Sequence, residues 1–255
     1  MAYPFFIIKN RKEEKVINNN DNIFESALAL ATSLPLVHIN REEFLSRELK
    51  RFCPTYQVNI AIEHSPAYAN ISVDIIDKIA NECINYETNK VSSISFLTGL
   101  PGGIAMFGTI PADITQYLGH ILRILQKLAY LYGWDEFIKP NEKLDDNTAN
   151  ILTLFIGVMF GVNGAASTIS KLSASAAQNA SKKLASQALT KGTIYPIVKK
   201  IAQTLGVKMT KEIFAKGVSK IIPVVGGVIS GGLTYANFKP CANRLKKYLA
   251  SLIYS

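Results

Sequence analysis

Asp113-Ile114-Thr115-Gln116-Tyr117-Leu118-Gly119-His120-Ile121-Leu122-Arg123-Ile124-Leu125-Gln126-Lys127 is the stretch on which the reading of the chain turns. Asp113, Gln116, His120 and Arg123 are spaced three, four and three. That spacing puts them on one face of one helix. Ile114, Leu118, Ile121, Leu122 and Leu125 around them are apolar, so the helix is greasy on nearly every side and carries one polar stripe. A polar stripe in such a setting must be satisfied. It can face water or form a structural hydrogen-bond network in the core. It can line a binding groove, with Arg123, His120 and Gln116 toward an anionic group and Asp113 orienting them. Or Asp113 and His120 can act as an acid–base pair. Seven residues along a helix is about 10 Å, so that pair would need a partner from another helix.

The neighbouring segments have the same period. Residues 72–87 place Val73, Ile76, Ile79, Ala80 and Cys83 at three- and four-residue steps, the mark of a helix. Residues 41–52 form a charged amphipathic helix with Phe44, Leu45 and Leu49 on one side. A short helix covers 22–33, with Phe24, Ala27 and Leu28 apolar. Residues 54–70 read as irregular, with an alternating patch at 58–62 that has the pattern of a strand but no evident pairing partner. The run Leu97-Thr98-Gly99-Leu100-Pro101-Gly102-Gly103 is a breaker. It lacks the lysine of a phosphate-binding loop and reads as a tight turn. Thr109-Ile110-Pro111 starts the helix that ends at Gly133. Residues 150–162 are apolar, further helices are expected over 165–189, 195–205 and 210–222, and 244–253 closes the chain as an amphipathic turn or two. The expectation is an all-α chain: one multi-helix bundle with buried Gly-rich apolar helices. Its N-terminal region, 1–70, would be irregular with short helices, and 71–255 would be the main helical domain.

Composition sets the bounds. The chain has 255 residues, 48% of them hydrophobic and 18% charged, which is enough apolar material for a large core. Cys53, Cys83 and Cys241 are far apart, so neither a disulfide framework nor a thiol zinc site is expected. The apolar residues 4–8 are too few for a secretory signal, and the basic residues follow them rather than precede them. Charge is divided unevenly. Residues 1–150 carry 14 Lys and Arg against 18 Asp and Glu, a net of −4. Residues 151–255 carry 14 Lys and Arg against Glu212 alone, a net of +13. Such asymmetry points to a polyanionic partner. The basic residues accompany apolar helical positions such as Ile194, Val198, Ile201 and Leu205, and aromatics are sparse there. An anionic membrane surface therefore fits better than nucleic acid, and no nucleic-acid-binding motif is present. A solvated basic face without a partner is the plainer alternative.

Three charge-free stretches, 91–112, 147–170 and 221–238, invite comparison with a membrane span of about 20 apolar residues. The first is broken by Pro and Gly, the second holds Asn, Ser and Thr, and the third is short and glycine-rich. Gly157 with Gly161, and Gly227 with Gly231, form GxxxG pairs that allow close helix approach in a bilayer or in a bundle alike. His38, His64 and His120 show no metal-ligand spacing, and no nucleophile motif or cofactor signature appears.

Two segments resemble a known family. The first is Thr98-Gly99-Leu100-Pro101-Gly102-Gly103 through Asp113, followed by a helix closing in Tyr132-Gly133. The second is Ile222-Pro223-Val224-Val225-Gly226-Gly227, continuing to Gly231-Gly232 and Tyr235, with Arg244, Lys247 and Tyr248 downstream. Together they resemble the central and C-terminal motifs of the EcsC family over roughly residues 70–250. The resemblance implies a bacterial, all-helical protein with a membrane- or transporter-linked role and no agreed catalytic mechanism. Asp113, Tyr132 and Gly133 match the family pattern.

The functional expectation is a non-enzymatic protein on the cytoplasmic side, held peripherally on the anionic inner face of the cell membrane by its basic C-terminal half. Lys199, Lys200, Lys208, Lys211, Lys216 and Lys220 would supply the attraction, and a membrane transporter is a further candidate partner. The rivals are a membrane-acting hydrolase centred on Asp113 and His120, and a pore-forming effector that inserts residues 147–170 as a hairpin.

Overall fold

A computed structural model describes residues 24, 27–92, 112–139, 142, 144–178, 194–202 and 223–253, without the side chains of 92, 112–114, 172–178 and 223–236. Among the described residues the regular structure is all helical. In chain order the helices are α1 (27–32), α2 (Arg41–Leu49), α3 (Thr55–Glu63), α4 (Val73–Ser92), α5 (Ala112–Leu131), α6 (Asp146–Phe160), α7 (Ala165–Gln178), α8 (194–202) and α9 (Pro223–Ile253).

Helix α5 is the axis of the bundle. Every residue from 118 to 132 is buried except Arg123, which is half-buried. Helices α4 and α9 pack on it and on each other, α6 packs on α9 and α5, and α2 approaches from the side with α3 against it. One continuous apolar cluster runs from Phe24 through Leu45, Ile79, Leu125 and Phe155 to Leu249. Residues on both sides of position 70 therefore contribute to the same core.

Local chemistry sets the helix ends. Asn40 caps α2 by accepting from the Glu43 N–H at 2.8 Å, and Glu42 and Glu43 complement the helix dipole in the first turn. Asp145 caps α6 through the Thr148 N–H at 2.9 Å. Gly161 ends α6 in the left-handed conformation, φ 69°, as a glycine C-cap does. Gly133 ends α5 in the same way at φ 84°. Tyr132, just before it, is buried and donates its hydroxyl to Asp77 at 3.3 Å.

Two expectations are corrected. Residues 55–63 are helical, neither irregular nor a strand. Val58 and Ala61, three apart, are the buried positions, and the face they form packs on α2. The alternation at 58–62 has no neighbouring strand to pair with, so burial against a helix decides the conformation. The second correction is at the C-terminus: 244–253 is the last third of the 31-residue helix α9, which continues through the exposed Pro240. Helix α4 also runs to Ser92, past the expected end at 87. The turn at 97–103, the helix start at 109–111, residues 179–189 and the helix expected over 210–222 lie outside the described residues.

Arg41 holds the α2–α3 corner. Its guanidinium is buried and donates to the carbonyls of Ile62, Ala61 and His64 at the end of α3, and to Trp134 O at 3.0 Å. One side chain thus satisfies the open end of one helix and ties it to the loop after α5. Arg41→Ala is expected to lose about 3 kcal/mol of unfolding free energy in urea melts, because buried carbonyls lose their donors. Arg41→Lys should recover less than half, since one ammonium cannot span four acceptors. A melt that does not move would remove this role.

In the first GxxxG pair, Gly157 is explained by packing and Gly161 by its role as the C-cap of α6. A Cβ on Gly157 would lie 2.9 Å from Ala165 Cβ and 3.1 Å from Ile197 Cγ2, so its absence lets α6 meet α7 and α8. Gly157→Val should cost about 1–3 kcal/mol through overpacking. An unchanged thermal midpoint would show that the contact gives way freely.

Candidate functional site

The polar stripe on α5 meets an acid from α4. Continuing the buried row of α4 beyond Ile76, Ile79 and Cys83, the next position is Glu87, whose side chain is fully buried. Lys127 Nζ sits 2.6 Å from its Oε1, and Arg123 Nε lies 3.3 Å from the same oxygen. His120 Nδ1 is 3.9 Å from Oε2. Burial pushes the Glu87 carboxyl up, but His120, Lys127 and Arg123 together outweigh it and hold the group at about 2. Lys127, the closest of these groups, forms the short charge-assisted bond. Its ammonium also lies 5.1 Å from the centre of the Tyr86 ring. The neighbouring Gln126 uses its whole amide: it donates to Val37 O and Leu122 O and accepts from the Ile39 N–H and the Tyr130 hydroxyl. The stripe therefore fastens the 36–39 loop and α4 to the central helix.

Above this cluster, α2, α4 and α5 enclose a cavity of about 660 Å³. Arg123, Lys127 and Cys83 lie on its inner side, Phe44 and Tyr86 on its walls. Arg47, Arg51, Glu43, Glu48 and Glu82 stand around it. Arg51 bridges Glu48 at 2.9 Å and Glu82 at 2.8 Å. Burial pushes the Cys83 thiol up to about 12, so it is no nucleophile at neutral pH. A second cavity, about 500 Å³, is lined by residues of 29–33 and 136–148.

Of the residues singled out in the sequence, His120 and Arg123 converge, and they converge on Glu87. Gln116 is half-buried a turn earlier and is not among the groups that hold Glu87. Asp113 lies in the first turn of α5, and its side chain falls outside the described residues. The acidic neighbour of His120 among the described residues is thus Glu87, a buried carboxylate that stays ionised and is poorly suited to take up a proton near neutrality. Lys199 is half-buried and Lys200 exposed on α8, while Lys208, Lys211, Lys216 and Lys220 lie outside the described residues.

Part of the C-terminal charge is used internally. Lys246 pairs with Asp77 at 2.9 Å and reaches Asn81 at 3.0 Å. Arg244 donates to Met159 O at the end of α6, and the Tyr248 hydroxyl donates to Ala166 O at 2.7 Å. Glu87, Lys127, Arg47, Arg51 and Tyr86 were not foreseen as site residues. Glu87 carried a usable signal: it falls four residues after Cys83, on the apolar row.

Among the described residues, no group of three His, Cys, Asp or Glu side chains is arranged to hold a metal ion. Nor is any described helix long and apolar enough to cross a membrane. The fold and site define an all-α bundle with a buried carboxylate shared by cations of its central helix. Comparison with protein-family models, curated proteins and solved structures finds no match to this chain.

Proposed function

We propose that this chain is an EcsC-like bacterial protein that associates peripherally with anionic membrane through its basic C-terminal half, without catalysing a reaction. The observation that carries the reading is the partition of charge, −4 over residues 1–150 and +13 over residues 151–255. A cationic surface is drawn to anionic lipid at roughly 1 kcal/mol per Lys or Arg near the headgroups. Lys171, Lys200 and Lys247 are exposed on α7, α8 and α9, where such a surface would form. The two EcsC-like motifs agree with a membrane-linked role. Insertion of 147–170 is less favoured, because α6 would have to give up residues 151–159, all of them buried in the bundle.

Flotation of the purified protein on liposomes tests the reading. Binding is expected on anionic vesicles in low salt, lost in high salt and absent on neutral vesicles, because exposed charges are screened over about 10 Å at 0.1 M salt. Equal binding to neutral vesicles, or none to either, would overturn it. Dye release at high protein concentration would favour the pore-forming alternative.

A further inference from the structure

We propose that the cavity between α2, α4 and α5 binds a small molecule through a single oxyanion group, a carboxylate or a phosphate monoester, held by Arg123 and Lys127. The volume of about 660 Å³ lies in the usual range for small-molecule sites. Two cations meet one carboxylate at its inner end, so the cluster carries an excess positive charge even with Glu87 ionised. Donors remain unused. Arg123 gives Nε to Glu87 and Nη1 to Leu36 O, and its Nη2 meets no acceptor among the described residues. The Lys127 ammonium has three hydrogens and one bonded oxygen. Guanidinium and ammonium side by side form a donor set that fits one compact oxyanion.

The rest of the lining narrows the class. Tyr86 and Phe44 contribute apolar lining beside the two cations, suited to an apolar portion of the ligand. Arg47 gives Nε to Glu48 at 3.0 Å, and its side chain is 65% exposed, so its terminal nitrogens are available to swing toward a ligand. Glu43, Glu48 and Glu82 also line the space. A polyphosphate would meet these three carboxylates, whereas a single oxyanion at the inner end does not.

Calorimetric titration of the full chain at low ionic strength tests this with benzoate, inorganic phosphate and ATP as probes, against a matched chloride control. Saturable binding of benzoate or phosphate is expected, and the tighter of the two identifies the oxyanion as carboxylate or phosphate. Arg123→Lys keeps a cation beside Glu87 but removes the forked donor, and should weaken binding at least tenfold. Arg47→Ala changes an exposed side chain and should weaken it severalfold with the thermal midpoint unchanged. It keeps the test decisive should the Arg123 variant fail to fold. Absence of binding by both small probes, or unaltered affinity in the variants, would overturn the site. ATP binding more tightly than either small anion would overturn the single-oxyanion class.

Discussion

Glu87→Ala is expected to lose about 3–5 kcal/mol of unfolding free energy, because removing one partner of a buried ion cluster strands the others. Lys127 and Arg123 would remain at the inner side of the cavity, 7% and 15% exposed, without their counter-charge. Domains of this kind have a total stability of about 5–15 kcal/mol, so the variant should unfold at much lower urea. Glu87→Ala combined with Lys127→Met should recover part of the loss, since the second change removes one stranded ammonium. The same carboxylate makes stability depend on acid. Its folded value lies at about 2 against an ordinary 4.5. The unfolded chain therefore binds its proton first as pH falls, and the stabilisation present above 4.5 drains away down to about 2. The shift corresponds to about 3 kcal/mol. Urea melts from pH 6 to pH 2.5 should show a steeper fall for the wild type than for Glu87→Gln. Parallel curves would mean that another carboxylate governs acid sensitivity.

Changing Lys199, Lys200, Lys208, Lys211, Lys216 and Lys220 together to Glu is expected to abolish flotation with anionic liposomes. At about 1 kcal/mol for each lysine near the surface, the loss approaches 6 kcal/mol. That is about four orders of magnitude in partitioning, and the new carboxylates add repulsion. Lys200 is exposed and Lys199 half-buried, so helical circular dichroism and the thermal midpoint should accompany the flotation assay. Undiminished binding by a folded variant would refute attraction through these lysines. Partial loss would point to the exposed Lys171 and Lys247 as further contributors.

Most of the helices were legible because a helix buries residues at three- and four-residue steps, and this period is written directly in the chain. It was clear for Ile76, Ile79 and Cys83 in α4, and for Leu118, Ile121, Leu122 and Leu125 in α5. The helix over 55–63 was hidden by an alternating pattern that suits either conformation over so few residues. The partner of the stripe was hidden for a different reason. Glu87 and Lys127 are 40 residues apart in the chain, and local spacing carries no information about which helix faces which.

The sequence alone determined the helical class, the end of α5 at Gly133, and the concentration of positive charge after residue 150. Each follows from residue type and local geometry: side-chain period, the freedom of glycine at positive φ, and the count of ionisable groups. Tertiary structure alone decided that the α5 stripe faces a buried carboxylate and that Arg41 closes the end of α3. It also decided that Lys246 and Arg244 are spent on internal contacts. These outcomes depend on which surfaces meet, because burial sets the cost of an unpaired charge and only packing determines what is buried.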